Sequence, residues 1–212
     1  MNTAVAMEDY MKTLHGHRVL DEINLVIERG QILGVTGRNG SGKTMLLRAM
    51  CGLIRPDKGK IMVMERELNR QRPFPDSVGL VLENIRFWKN MPGFQTLQTL
   101  AAIRNKIGKA EIRETLERVG LDPQDQRAVA KYSLGMKQRL AIAQAVMEKP
   151  ALILLDEPTN ALDQEGVELF RRLIIEEKTR GATIILASHI KEDIEVLCDR
   201  VIHMEEGRIA DG

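Results

Sequence analysis

One segment of the chain has the residue types and the spacing of a phosphate-binding loop. Residues 37–44 read GRNGSGKT and fit the pattern G-x-x-x-x-G-K-[ST] at every fixed position. In this pattern glycines let the backbone approach an anion, the lysine reaches the β- and γ-phosphates, and the last hydroxyl binds Mg²⁺. The sequence therefore predicts a nucleotide-phosphate site that contains Gly37, Arg38, Asn39, Gly40, Ser41, Gly42, Lys43 and Thr44.

Two adjacent acidic residues could complete such a site. The segment ALILLDEPT carries Asp156 and Glu157 directly after an apolar run at residues 151–155. Asp156 is predicted to bind Mg²⁺, and Glu157 is predicted to accept a proton from the attacking water. Two acids after a strand can also be merely solvated, but beside a phosphate-binding loop we favour the catalytic interpretation.

The elements that must position these residues follow an α/β pattern. Apolar runs at residues 30–36, 78–82, 151–155 and 182–187 are continuous, as is typical of strands covered on both faces in a mostly parallel sheet. Residues 87–148 contain no comparable strand, and include helical patterns such as AEIRETLERVG, which ends at Gly120. We predict a core of residues 1–86 and 149–212 with an inserted helical subdomain of residues 87–148.

Composition excludes several classes of function. The net charge is +1 and aromatic residues make up 3% of the chain, so neither a basic surface nor stacking platforms for nucleic acid are expected. No apolar run is long enough to span a membrane. The two cysteines are too few for a disulfide framework, which favours a reducing compartment.

The identity of the nucleotide follows from a missing motif. A guanine-specific site would need N-K-x-D, and the nearest segment, residues 105–108, reads NKIG and lacks the carboxylate that reads guanine. ATP is therefore the predicted nucleotide.

A second motif, YSLGMKQRL at residues 132–140, directs the interpretation to one family. The chain resembles the ATP-binding subunits of ABC transporters, whose signature motif is LSGGQ-x-QR. Ser133 and Gly135 match the serine and the second glycine of that motif, whereas Leu134 and Met136 depart from it. NALD at residues 160–163 is similar to the family's D-loop, with Asp163 as its acid, and His189 in ASH is similar to its switch histidine.

This resemblance implies a fold, a mechanism and partners. It implies a P-loop NTPase core with an N-terminal antiparallel β portion, and ATP with Mg²⁺ bound between two chains arranged head to tail. Each ATP would lie between the phosphate loop of one chain and Ser133, Gly135 and Asp163 of the other, and Lys43, Glu157 and His189 would act in catalysis. The implied partners are a second ATP-binding subunit and a separate transmembrane permease, at the cytoplasmic face of the membrane.

Two positions depart from the family pattern in ways that bear on function. The family usually places an aromatic residue that stacks on adenine near Leu14 and His15, and neither residue matches, while Tyr10 is predicted to belong to a strand. Glu83 follows the run VGLVL, where the family has the glutamine of its Q-loop, so we predict it as a third ligand of Mg²⁺ beside Thr44 and Asp156. Alternatively, Glu83 or Asn84 could cap a following helix.

The Glu83 substitution and the YSLGMKQRL motif resemble the bacitracin-resistance and lantibiotic-immunity exporters within the family. We therefore expect an exporter of an antibiotic, a bacteriocin or another amphipathic substrate. The alternative is a soluble ABC-family ATPase that acts as a mechanical switch outside transport, although such proteins typically carry tandem modules or long coiled-coil insertions.

Overall fold

The computed structural model describes residues 2–83 and 86–210, and within them the chain forms ten strands and six α-helices. The strands are β1 (Thr3–Leu14), β2 (His17–Glu28), β3 (Ile32–Thr36), β4 (Lys58–Val63), β5 (Arg66–Glu67), β6 (Val78–Val81), β7 (Leu152–Asp156), β8 (Thr183–Ala187), β9 (Arg200–Glu205) and β10 (Arg208–Ala210). The helices are α1 (Lys43–Met50), α2 (Gly93–Arg104), α3 (Lys109–Arg118), α4 (Leu134–Val146), α5 (Gln164–Thr179) and α6 (Lys191–Leu197).

The N-terminal part of the chain forms an antiparallel sheet. Its strand order is β2-β1-β4-β5, which confirms the antiparallel β portion. A two-residue turn joins β1 to β2, and both of its residues, His15 (φ 49°) and Gly16 (φ 81°), have left-handed backbones, as the favoured two-residue hairpin turns require. Tyr10 lies in β1 as predicted, fully buried, and its hydroxyl donates to the Ile54 carbonyl at 3.0 Å.

The second sheet is mostly parallel and carries the core. Its strand order is β10-β9-β3-β8-β7-β6, and every neighbouring pair except β10 with β9 is parallel. All five residues of β7 and all five of β8 are buried, in line with their continuous apolar sequences. Each of the four predicted runs contains a strand. Strand β3 begins at Ile32 and not at Gly30 as predicted, because Gly30 lies in the preceding turn and Gln31 connects that turn to the strand.

The register of the parallel strands brings the functional segments to one edge. Ala187 at the end of β8 pairs with Val35 of β3 on one side and with Asp156 of β7 on the other. Val81 of β6 pairs with Leu155. Since parallel strands present their carboxyl ends at the same edge, the segments that follow β3, β6, β7 and β8 emerge side by side.

Residues 87–148 lie within the described part of the chain and contain no strand. They hold α2, α3, a 3₁₀ turn at Val129–Lys131 and α4. The first helix begins at Gly93, earlier than the helical pattern from Leu97 indicated. Helix α4 packs so closely on β6 that a Cβ at Gly79 would lie 1.9 Å from the Ala145 carbonyl oxygen. Buried residues of this helical segment and of the parallel sheet form one hydrophobic cluster.

None of the helices in the described residues is long and apolar enough to cross a membrane. Both cysteines are free, with Cys51 buried and Cys198 partly exposed.

Candidate active site

A pocket of about 650 Å³ lies at the carboxyl edge of the parallel sheet. It brings together nine of the residues predicted from the sequence: Asn39, Gly40, Gly42, Lys43, Thr44, Glu83, Asp156, Glu157 and His189. Gly37, Arg38 and Ser41 belong to the same loop but are not among the residues that line the pocket. The pocket therefore contains the predicted phosphate loop, both predicted acids and the predicted histidine.

The phosphate loop presents unpaired hydrogen-bonding groups toward an anion. Gly42 (φ 108°) is the N-cap of α1, and no side chain in residues 2–83 or 86–210 caps this helix, so the backbone N–H groups of its first turn are open to a ligand. Within the loop, the Ser41 hydroxyl is buried and has no hydrogen-bond partner among the described residues. Such a site suits phosphate oxygens, which accept hydrogen bonds from donors of this kind.

Lys43 folds back onto its own loop. Its Nζ donates to the carbonyl oxygens of Gly37 at 2.7 Å and of Arg38 at 3.2 Å, and its side chain is buried. The ammonium group is thereby held at the mouth of the loop, where a phosphate oxygen would replace the weaker of these acceptors.

Thr44 and Asp156 lie next to each other. The Thr44 hydroxyl donates to Asp156 Oδ2 at 2.7 Å. Burial raises the pKa of the Asp156 carboxyl, the charges of Glu157 and Glu83 raise it further, and the Thr44 hydrogen bond and the Lys43 charge oppose the shift. A divalent cation beside Asp156 would offset this concentration of negative charge.

The donor set fits Mg²⁺ bound together with a nucleotide. Within residues 2–83 and 86–210, no three His, Cys, Asp or Glu side chains form a ready-made metal cage. Mg²⁺ at phosphate sites takes one or two carboxylates and fills its other positions with phosphate oxygens and water. Thr44, Asp156 and Glu83 supply a hydroxyl and two carboxylates at one end of the pocket.

Glu83 lines the pocket with an exposed side chain. The alternative of a helix cap at Glu83 is wrong, because residues 86–92 are not helical and α2 begins at Gly93 after Pro92 as its N-cap. Asn84, the other predicted cap, lies outside the described residues.

Glu157 and His189 form a pair across two strand ends. Glu157 Oε2 lies 2.8 Å from Nδ1 of His189, and the Glu157 backbone N–H donates to the Ala187 carbonyl at 2.9 Å. Glu157 has a left-handed backbone (φ 48°), and its side chain contacts His189 whereas the side chain of Asp156 contacts Thr44. An ionised carboxylate only accepts hydrogen bonds, so His189 Nδ1 is the donor in this pair.

Three predicted site residues lie elsewhere. Ser133, Gly135 and Asp163 line a second pocket of about 510 Å³. The Ser133 hydroxyl caps α4 by accepting from the Met136 N–H at 3.1 Å, and a Cβ at Gly135 would lie 3.0 Å from the Ala161 carbonyl oxygen. The single chain therefore does not bring these residues to the phosphate loop.

The signature helix α4 is connected to the segment that follows Glu157. Gln138 Nε2 donates to the Pro158 carbonyl at 2.9 Å, and Arg139 Nη2 donates to Asp163 Oδ1 at 2.7 Å. Asp163 also caps α5 by accepting from the Gly166 N–H. These contacts link the second pocket to the end of the first through residues 158–163.

Several residues of the main pocket were missed by the sequence interpretation. His17, Arg18 and Val19 at the start of β2, Met45, and Gly207 between β9 and β10 all line it. Asn160, the first residue of the NALD segment identified from the sequence, lines it as well. Leu14 and His15, where an adenine-stacking residue was sought, do not. The lack of an aromatic residue at these two positions was the sequence signal that could have pointed to Arg18, which lies close to them in the chain. No local signal marked Gly207.

This combination of a phosphate loop after β3, acids after β7 and a histidine after β8 defines a P-loop ATPase of the cassette type. The family model described as ABC transporter matches residues 20–160. The chain belongs to this family, the ATP-binding subunits of ABC transporters, and is an ATP hydrolase of the ABC type.

The relatives of this chain include transport proteins. The chain is 48% identical to an uncharacterised ABC transporter ATP-binding protein, YybJ of Bacillus subtilis, over 90% of this chain and 88% of that protein. It is 38% identical to the bacitracin transport ATP-binding protein BcrA of Bacillus licheniformis, over 99% of this chain and 69% of that protein. It is 34% identical to the lantibiotic transport ATP-binding protein SrtF of Streptococcus pyogenes, over 94% of this chain and 86% of that protein.

A solved structure of an ATP-binding subunit of an ABC transporter superposes with a TM-score of 0.88 at 26% identity, covering 99% of this chain and 90% of that chain. The likeness confirms the predicted fold class.

Proposed function

We propose that this chain is the ATP-hydrolysing subunit of an exporter for an antibiotic, a bacteriocin or another amphipathic molecule, and that it works as a head-to-tail pair with a separate permease. The observation that carries the proposal is the separation of the phosphate loop and the signature residues into two pockets of one chain. Names of two relatives, for bacitracin and lantibiotic transport, support the substrate class.

In the proposed mechanism the phosphate loop binds the triphosphate. Lys43 Nζ exchanges a loop carbonyl for β- and γ-phosphate oxygens, and the N–H groups at the start of α1 donate to the phosphates. Thr44, Asp156 and Glu83 would hold Mg²⁺, which neutralises phosphate charge when bound. Arg38, Asn39 and the loop glycines shape the backbone around the anion.

Glu157 is proposed as the general base and His189 as its partner. Glu157 Oε1 is not used in the bond to His189, which involves Oε2, so it can accept the proton of the attacking water. The His189 imidazole keeps the carboxylate in place and presents its other face to the γ-phosphate side of the pocket.

The second chain is proposed to complete the site. Ser133 and the Gly135 N–H lie at the N-terminus of α4, where donors and the helix dipole favour an anion, and Asp163 lies beside them. With two chains head to tail, these groups of each chain face the ATP on the other chain's phosphate loop. The hydrogen bond from Arg139 to Asp163 then connects the surface that contacts ATP to the segment that follows Glu157 in the same chain.

Residues 87–148 are proposed to form the helical subdomain that docks on the permease, with residues 1–86 and 149–212 as the ATPase core. Docking places the chain at the cytoplasmic face of the membrane. Glu83 precedes this subdomain directly, which gives the Mg²⁺ end of the site a covalent connection to the docking surface.

Complementation between two inactive variants tests the two-chain site. Ser133→Arg blocks the signature surface and Lys43→Ala removes the phosphate-binding ammonium, so each variant alone should lose hydrolysis. In a mixed pair both changes fall in the same composite site, and the other site stays intact. Mixing the two variants should therefore restore ATP hydrolysis in part.

The matched control mixes Lys43→Ala with Lys43→Ala/Ser133→Arg, a mixture in which every composite site carries at least one change. It should stay inactive. If the first mixture is no more active than this control, the head-to-tail arrangement is wrong.

A further inference from the structure

The main pocket has a wall to which the proposed mechanism assigns no role. It consists of His17, Arg18 and Val19 at the start of β2, with Gly207 from the turn after β9. The wall packs directly on the phosphate loop, since a Cβ at Gly42 would lie 3.0 Å from the Val19 carbonyl oxygen and the Gly207 N–H donates to the Ser41 carbonyl at 2.9 Å. The phosphates of a nucleotide would lie at the start of α1, and the acids lie at the end of β7. The wall is then the part of the pocket that remains to contact the base.

As far as the described residues show, the wall offers a base one planar group that is held in a fixed orientation. No Phe, Tyr or Trp side chain is present among the described residues that line the pocket. The nearest candidate in the chain, Tyr10, is buried in β1 with its hydroxyl bonded to Ile54. Two flat polar groups remain, the imidazole of His17 and the guanidinium of Arg18, and in the described part of the chain only the second has side-chain hydrogen bonds.

Arg18 is oriented by a carboxylate that is itself fixed. Its Nη1 donates to Asp21 Oδ1 at 2.8 Å. Asp21 is 7% exposed, and its other oxygen accepts from Nε and Nη2 of Arg208 at 2.8 and 2.5 Å. The Asp21 N–H donates to the Gly207 carbonyl at 2.8 Å, which attaches the group to the same turn that borders the phosphate loop.

The hydrogen bond to Asp21 leaves much of the Arg18 side chain exposed. The Arg18 side chain remains 55% exposed although it is paired with Asp21. Hydrogen bonds from Arg208, and then from Arg18, lower the pKa of the Asp21 carboxyl against the opposing effect of burial, so the carboxylate stays charged at neutral pH. A guanidinium held through one nitrogen keeps its flat face available, and such faces stack on aromatic rings and on nucleobases.

We propose that the Arg18 guanidinium, oriented by Asp21 and Arg208, stacks on the base of the bound nucleotide in place of an aromatic side chain. The inference rests on the proposed function, because it takes the phosphates to lie on residues 37–44. Arg18 is then a binding residue, and Asp21 and Arg208 are positioning residues. Because every base has a flat face, the contact should discriminate weakly between ATP and GTP.

The test compares binding of ATP with binding of inorganic tripolyphosphate, which has phosphates but no base. Dissociation constants of both, with Mg²⁺, are measured by titration calorimetry for the unmodified chain, Arg18→Ala, Arg18→Lys and Asp21→Asn. Arg29→Ala is the charge-matched control, because Arg29 follows the end of β2 that is remote from the pocket and contacts the Thr3 carbonyl and Glu65. Thermal unfolding of each variant verifies that it is folded.

Loss of base stacking should weaken ATP binding of Arg18→Ala about 5- to 100-fold while tripolyphosphate binding stays within about twofold. Arg18→Lys keeps the charge but not the flat group and should resemble Arg18→Ala. Asp21→Asn should show a smaller loss, again confined to ATP, which a general loss of structure would not produce.

Three results would overturn the inference alone: ATP binding by Arg18→Ala equal to that of the unmodified chain, an equal loss of ATP and tripolyphosphate, or full ATP affinity in Arg18→Lys. If the unmodified chain binds neither ligand, or if Lys43→Ala does not weaken both, the proposed phosphate site itself fails.

Discussion

At the scale of single residues, Glu157 is the side chain whose surroundings are best suited to proton transfer. One oxygen is bonded to His189 and the other is not, while the neighbouring Asp156 is engaged by Thr44. The two adjacent acids therefore contact different partners. The two adjacent carboxylates are therefore free to have different roles, one as a metal ligand and the other as a proton acceptor.

Glu157→Gln should lower ATP turnover about 10²- to 10⁴-fold, the usual contribution of a positioned general base. ATP affinity should be unchanged, because the amide keeps the shape of the side chain. Steady-state hydrolysis and nucleotide titration measure the two quantities. Glu114→Gln, on an exposed position of α3, is the control. Turnover at the unmodified level would transfer the role of base to His189.

Glu83 is the other residue whose charge we expect to matter. Glu83→Gln keeps hydrogen bonding but loses the negative charge, so the Mg²⁺ concentration that gives half-maximal hydrolysis should rise while some activity remains. Glu83→Ala loses both properties and should cost more activity, and still more transport. Hydrolysis across a Mg²⁺ titration, with transport in parallel, tests this. If both variants behave as the unmodified chain at every Mg²⁺ concentration, Glu83 has no role at the metal.

At the scale of elements, close packing of α4 on β6 sets where the signature helix lies. Gly79 has no side chain, and this lets the Ala145 carbonyl approach the strand. The same helix carries Gln138 and Arg139, which contact the segment after Glu157. A displacement of α4 should therefore affect both stability and the site.

Gly79→Ala should destabilise the fold by about 1–3 kcal/mol, because the new methyl group meets a backbone atom that cannot rotate away. For a chain of this size that corresponds to a fall of roughly 2–12 °C in Tm. Gly108→Ala is the matched control, since a Cβ there meets only the flexible end of Glu111 at 3.4 Å. Equal unfolding temperatures for the two variants, measured by circular dichroism, would show that α4 does not pack as described.

At the scale of the whole molecule, the two pockets imply that nucleotide binding and association are coupled. A chain that cannot complete hydrolysis should accumulate as an ATP-bound pair, because in the proposed head-to-tail arrangement each ATP contacts both chains. Glu157→Gln should therefore shift from monomer to dimer in sedimentation velocity when ATP and Mg²⁺ are added, and should remain a monomer with ADP.

Adding Ser133→Arg to Glu157→Gln removes the contact made by the second chain and should abolish this shift. A dimer that persists in the double variant would place the interface somewhere other than the signature surface.

The phosphate loop, the acids after β7 and the mostly parallel sheet could be predicted from the sequence by itself. Each depends on local chemistry: glycines at fixed spacing before a helix, and continuous apolar runs that only a sheet covered on both faces can bury. The limits of the strands were less certain, as the start of β3 shows, because the residues of a turn can continue an apolar run.

Only the tertiary structure decided how these segments meet. The register of β3, β7 and β8 brings Thr44 to Asp156 and Glu157 to His189, although the residues of each pair lie far apart in the chain. The hydrogen bonds among Arg18, Asp21 and Arg208 join the first hairpin to the last, and they arise from packing that no local pattern encodes. The separation of Ser133 from the phosphate loop is likewise a property of the folded chain, because helix α4 is held against β6, at the edge of the sheet, and not over β3.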